Sequence, residues 1–189
     1  MTCNQCKHEF CWICNGDWNT HQQCNRFETT ASEATERELQ RDLHYFKRYH
    51  IHADAQNFAE KQFKELQSKL MNVGFRPEDN QSLATIENMR ESILKANKQL
   101  VECRRTLKHT YIFAYFHLSA PMLVGHEQRL AKIRCDQFEF QQEMLEKFTE
   151  ELSDLVEKPL TEIDKLQLVN KTEGVKKFLT SIVSNVVHE

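Results

Sequence analysis

From about Thr30 to the end of the chain, apolar residues recur at helical spacing. Leu39, Leu43, Phe46, Tyr49, Ala53, Phe63, Leu66 and Leu70 trace one stripe and predict a helix reaching about Met71, with these as inner positions. Thr30-Ala-Ser-Glu33 fits a capping box at its start, the Thr hydroxyl and Glu carboxylate each accepting the other's free backbone N–H. Gly74 and Pro77, in Asn72–Ser82, break the pattern. A second helix repeats Ile86, Ile93, Leu100, Leu107 and Ala114 every seven residues, with Leu118 close behind, and stops at Ser119–Pro121. A third, from about Leu123 to Glu157, repeats Phe138, Leu145 and Leu152 in the same register. Phe148 and Leu155 fill a second lane, the seam expected of an antiparallel neighbour. Pro159 interrupts, and a last helix lines up Val175, Phe178, Leu179, Ile182, Val186 and Val187. Tyr111, Phe113, Tyr115 and Phe116 read as bundle core. The fold class is mainly α: a small zinc-stapled N-terminal module followed by an elongated helical bundle.

Residues 1–28 have no such periodicity and are rich in Cys, His, Asn and Trp, so they form a separate module from 29–189. A segment that short cannot fold on buried apolar area alone and needs a staple. The whole chain has only four Gly and three Pro in 189 residues, which favours long helices over many turns. No apolar run approaches a membrane span, and no secretory signal precedes the cysteines, so a reducing compartment, cytoplasmic or also nuclear, is expected. A net charge of −3 gives no general attraction to nucleic acid. Charge is nevertheless segregated. Residues 90–134 carry nine Lys/Arg against three Glu, and 135–165 carry ten Asp/Glu against three Lys, as expected of two helices of opposite sign lying side by side.

Five of the seven cysteines lie in the first 27 residues. Cys3-x2-Cys6 and Cys11-x2-Cys14 are knuckles that present two thiolates to one ion, and His21 and Cys24 follow at the same spacing. Six donors do not make two four-coordinate sites. Cys3, Cys6, Cys11 and Cys14 could share one ion, or Cys11, Cys14, His21 and Cys24 could, leaving Cys3 and Cys6 as half of a second site. Trp12 and Trp18 would then clamp the zinc loop. Cys103 and Cys135, on helical stretches, read as buried small apolar residues. His44, His50 and His52 read as surface or helix-packing residues.

The run "CNQCKHEFCWICNGDWNTHQQCNRF" resembles the second half of the catalytic RING2 domain of RING-between-RING ubiquitin ligases. "CRRTL" (Cys103–Leu107) followed by "HTYIFAYFHL" (His109–Leu118) resembles the Ariadne domain that follows RING2 in one subfamily. The resemblance places Cys11, Cys14, His21 and Cys24 on the second RING2 zinc site, a complete one, and Cys3 and Cys6 on the latter half of the first. It also implies that the ubiquitin-accepting cysteine, in a "GGCNH" segment, lies upstream of Met1, so this chain alone is expected to be inactive. Asn15 stands where an apolar residue is common and is expected to weaken packing.

The resemblance further implies that the helical part is an autoinhibitory clamp on RING2, released by a neddylated cullin-RING complex. Phe58 aligns with an aromatic of that contact and Glu150 with an acidic residue of it, while Ala59 replaces an acid found in some relatives. Read from the helices alone, Phe58 is equally a bundle-core aromatic, and Glu150 is part of a solvated acidic face. The parent protein would take ubiquitin from a charged conjugating enzyme. The alternative is a non-catalytic zinc-containing module acting in trans on RING2 or on a neddylated cullin-RING complex. No nucleic-acid or membrane partner is implied.

Overall fold

The computed structural model of the chain describes residues 3, 5–11, 13–20, 24–72, 83–118, 126–159 and 162–187, with side chains described for residues 3, 5–11, 13–20, 24–70, 87–118, 126–159 and 162–184. Trp12, His21, the Gly74–Pro77 break, the Ser119–Pro121 stop and the side chains of Ile86, Val186 and Val187 lie outside these. Four helices follow the N-terminal module: α1 (Ala34–Asn72), α2 (Leu83–Phe113), α3 (His126–Val156) and α4 (Lys165–Val187). A π-helical turn, Ala114–Leu118, continues α2.

The start of α1 differs from the capping-box expectation. The Glu33 carbonyl accepts the first helical bond, from the Arg37 amide at 3.0 Å. Thr29, not Thr30, turns its hydroxyl onto the chain, accepting from the Ala31 amide at 3.1 Å. At the start of α4, Asp164 is the cap: its carboxylate accepts the amides of Leu166 at 2.8 Å and Gln167 at 3.1 Å.

Two compact units are built from these elements. One combines Met1–His52 with Leu107–Glu146, the other Ala53–Thr106 with Lys147–Glu189. The second unit has an apolar core in which Ile93, Ala96 and Leu100 of α2 meet Leu152 and Leu155 of α3, with Ile163 and Leu168 closing it. Ile93, Leu100, Leu152 and Leu155 are among the positions expected of α2 and α3, and Val175 and Ile182 of α4 are buried as their stripe requires. Cys103 is fully buried, as expected, whereas Cys135 is half-buried.

Opposite charges do meet between α2 and α3: Arg104 donates to Glu150 at 2.6 Å, with both side chains largely buried. Glu150 is therefore not on a solvated face. Lys95 pairs with Glu173 at 2.8 Å, and Lys171 pairs with Glu151 while sitting over Phe148, tying α4 to both neighbours. Phe58 departs from the core reading in the other direction, being 60% exposed, while the adjacent Ala59 is buried. A carboxylate at that buried position would need a partner of its own.

In the first unit, Tyr111 is fully buried as expected, but Phe113 and Tyr115 are half-buried and Phe116 is exposed. Leu39, Leu43 and Phe46 also lie on the surface rather than inside. Here α1 meets α2 through Tyr45, which packs edge-on to Tyr115, and through His52, stacked on Tyr111 at 5.3 Å. That contact face is rotated away from the Leu39–Leu43–Phe46 row.

Because Arg104 is buried, removing its partner leaves an uncompensated charge. Glu150→Ala should lower stability by about 3 kcal/mol, read as a drop in denaturation midpoint with unchanged slope. The double change Arg104→Met with Glu150→Leu should recover most of that loss.

Candidate zinc module

The two CxxC loops fold alike. The Lys7 amide donates to the Cys3 carbonyl and the Cys3 amide to the His8 carbonyl, both at 2.8 Å. Asn15 to Cys11 and Cys11 to Gly16 repeat the pair at the same distances. In each loop the residue after the second cysteine has positive φ: 59° at Lys7 and 58° at Asn15. Asn tolerates that left-handed conformation better than most residues. Asn15 therefore suits the turn. An antiparallel bridge of Phe10 to Asp17 closes the second loop, with the Trp18 amide donating to the Glu9 carbonyl at 3.1 Å. Trp18 is half-buried over this small module.

Cys11, Cys14 and Cys24 converge, their three sulfur atoms lying within 4.8 Å of one another. Cys11 Sγ and Cys24 Sγ are 3.8 Å apart, the separation of about 3.8 Å that two sulfurs have on one tetrahedral zinc with Zn–S near 2.3 Å. The Ile13 and Gly16 amides donate to Cys11 Sγ and Cys14 Sγ, each at 3.4 Å, which favours thiolates. The hydrogen bond shared with Cys11 and then burial push the Cys24 thiol well up; three thiolates this close need a cation between them. The donor set fits zinc. His21, the fourth ligand implied by the resemblance, lies outside the described residues.

Cys3 and Cys6 are not part of this cluster. Amide hydrogen bonds from Cys6 and Gln5 hold the Cys3 thiol below its ordinary value, so the loop is shaped to carry thiolates without having gathered further described donors. Of the contact candidates, Phe58 and Glu150 belong to the second unit and the cysteines to the first.

The residues after Cys24 anchor the module to the helices, a role that the cysteine spacing does not reveal. Arg48 of α1 donates through Nε and Nη2 to the Cys24 carbonyl, the former at 3.0 Å. His44 Nε2 donates to the Asn25 carbonyl at 3.0 Å. The buried Asn25 amide donates to the Glu139 carbonyl at 2.8 Å and to Gln142 Oε1 at 3.1 Å on α3. Arg26 reaches the Glu139 carboxylate at 3.3 Å, and Phe27 packs on His44 and Tyr45. His44 is thus a specific partner of the module, with a role beyond helix packing. His52, also read as a packing residue, is buried with Nε2 3.4 Å from Glu146.

This thiol cluster, seated on long helices with apolar heptads, matches known proteins along its whole length. The family model described as the Ariadne domain covers residues 40–187, and one described as the IBR domain covers residues 1–31. The chain belongs to the Ariadne family. Among its relatives, the E3 ubiquitin-protein ligase ariadne-1 of Drosophila melanogaster is 31% identical over the full chain and 37% of that protein. The E3 ubiquitin-protein ligase ARIH2 of Mus musculus is 33% identical over 84% of the chain and 31% of its own length. A potential E3 ubiquitin-protein ligase ariadne-2 of Caenorhabditis elegans is 32% identical over 84% of the chain. The chain spans about a third of the length of these relatives, 31% to 37%. No described helix is long and apolar enough to cross a membrane.

Burial first, and then the Arg48 charge, lower the His44 pKa from 6.5 to about 4. A ring that stays neutral when folded but binds a proton near 6.5 when unfolded makes stability fall as pH drops through that window. His44→Gln should flatten the dependence of unfolding free energy on pH between 6.5 and 4 by nearly one proton, measured by denaturant titration at stepped pH. Cys11→Ser should release the metal and unfold the module while the helical circular-dichroism signal persists.

Proposed function

We propose that this chain is the part of a RING-between-RING ubiquitin ligase that holds the latter half of RING2 and the Ariadne helices. The convergence of Cys11, Cys14 and Cys24, in a chain matching the Ariadne domain over residues 40–187, carries this reading. Curated relatives named E3 ubiquitin-protein ligases support it. Zinc held by Cys11, Cys14, His21 and Cys24 would be structural, fixing the loop rather than reacting. Cys3 and Cys6 supply half of a second site, completed by donors from a preceding segment of the parent.

In the parent, a RING2 thiolate attacks the thioester of a ubiquitin-charged conjugating enzyme and expels that enzyme's thiolate. A substrate lysine amine then attacks the new thioester, forming an isopeptide bond and releasing the cysteine. We assign that part to none of the cysteines of this chain: Cys3, Cys6, Cys11, Cys14 and Cys24 are read as metal ligands, and burial pushes up the thiols of Cys103 and Cys135. The helical domain restrains RING2 until a neddylated cullin-RING complex binds, with Phe58 presented on the surface for the contact.

A single-turnover assay tests this reading. The purified chain is mixed with a ubiquitin-charged conjugating enzyme and resolved on a non-reducing gel. No thiol-sensitive adduct should form on the chain, and metal analysis should give one tightly held zinc per molecule, lost in Cys11→Ser and kept in Cys3→Ser. A thiol-sensitive adduct abolished by mutating one cysteine, or two tightly held zincs in a monomer, would overturn it.

A further inference from the structure

Cys3 and Cys6 are built as a metal knuckle, although no third donor among the described residues joins them. Their loop repeats the backbone of the second one bond for bond: Lys7 to Cys3 and Cys3 to His8 stand where Asn15 to Cys11 and Cys11 to Gly16 stand there. The Gln5 amide donates to the Cys3 sulfur as the Ile13 amide does to Cys11 Sγ. Lys7 holds φ at 59°, a left-handed angle that lysine seldom adopts, and such an angle persists only where the surrounding bonds over-determine it. The Cys6 thiol hydrogen-bonds the Cys3 sulfur, so the two donors already adjoin one ion position.

This loop also stands clear of the chain. Gln5, Cys6, Lys7, His8 and Glu9 are exposed and Cys3 is half-buried, whereas Cys11 is buried. His8, the nearest nitrogen donor in sequence, is stacked with Phe10 and belongs to no described donor group. Two thiolates satisfy only half of the tetrahedron that zinc takes in closed structural sites. A second copy of the chain can supply the other half. A tetrahedron made of two chelating pairs has a two-fold axis that exchanges the pairs, so identical loops share one ion with closed symmetry. Four thiolates around one zinc leave a negative surplus, and the Lys7 ammonium, whose charge already acts on the Cys3 sulfur, offsets part of it in each copy.

We propose that Cys3 and Cys6 of this chain bind one zinc together with Cys3 and Cys6 of a second copy, joining two chains in a metal-bridged dimer. The proposal rests on the reading of Cys3 and Cys6 as half of a site. The bridging ion is held less tightly than the ion of Cys11, Cys14 and Cys24, because its capture also costs the freedom of two molecules. In the parent, donors on the same chain displace the second copy, since tethered ligands act at an effective concentration on the order of millimolar. The bridge thus distinguishes two states of the first knuckle: chains in which it lacks its other half pair up, and chains in which the half is present do not.

The test takes the reduced full chain carrying its one tightly held zinc and titrates it with cobalt(II), followed by sedimentation velocity and visible absorption. A dimer should form as cobalt reaches half an equivalent per chain, together with the charge-transfer and tetrahedral ligand-field bands of a four-thiolate site. Zinc added in place of cobalt should give the same dimer without colour, and a mild chelator should return monomers that keep the first zinc. The double variant Cys3→Ser with Cys6→Ser should lose both the dimer and the bands, while its circular dichroism and its first zinc stay unchanged. A chain that stays monomeric and takes up no second metal would overturn the proposal and leave the reading of the parent standing. A second tightly held ion in a monomer would overturn both. A dimer that survives in the double variant, or that yields to a reductant and not to the chelator, would also sink the proposal.

Discussion

The first unit depends on what happens to the backbone immediately after Cys24. Among its described residues the module ahead of it has one bridge and two knuckles, so its end must be fixed by something larger. The Cys24 carbonyl is taken by Arg48 and the Asn25 carbonyl by His44, while the Asn25 side chain bonds α3. A backbone group buried without a partner costs more than a hydrogen bond returns, so this short tail has little freedom to lie elsewhere. Since Cys24 is also the third thiol of the cluster, the residue that completes the described part of the metal site is the one the helices hold. Metal binding and seating of the module are therefore linked, each supplying geometry the other needs.

The same unit carries a buried polar chain alongside its buried Leu107, Phe138 and Leu145. Gln142, which receives Asn25, donates onward to Thr110 at 2.8 Å, and Thr110 donates to the Leu107 carbonyl. At the next position, Tyr111 donates to Glu146 at 2.5 Å; burial and then that carboxylate raise its pKa far enough to keep the proton on the phenol. Such a chain fixes one relative placement of its helices, because a slipped register would leave several buried groups unsatisfied at once. The apolar core of Ile93, Leu100, Leu152 and Leu168 is less directional, and apolar side chains of similar size could replace one another there.

What the sequence discloses follows that division. Leu100, Leu107, Leu145 and Leu152 are legible because a seven-residue repeat has one physical meaning, and the thiols are legible because knuckle spacing does too. The row Leu39, Leu43 and Phe46 shows the limit: periodicity says that a face is apolar but not what covers it. Caps fail for a related reason, since Thr29 and Thr30 stand one residue apart in a pattern that several local bonds can satisfy. The Asn25–Gln142–Thr110 chain begins with residues more than a hundred positions apart, joined only by the fold. What suits Asn15 to its position is a backbone angle, which residue spacing does not reveal.

The resemblance assigns both Phe58 and Glu150 to a regulatory surface, yet their physical circumstances differ. Glu150 already accepts from a guanidinium that is itself buried, so a new partner would have to replace that bond without leaving Arg104 stranded. The gain from such an exchange is small, because one charge-assisted bond is traded for another. Phe58 has no such commitment. It stands in solvent on a helix whose next residue, Ala59, is packed inside, so its backbone is held while its ring is open to be covered. Burying an aromatic of that exposure contributes apolar area that the free chain leaves in water. Any contact made at this surface would draw its apolar area from Phe58, while the Arg104–Glu150 pair ties α2 to α3.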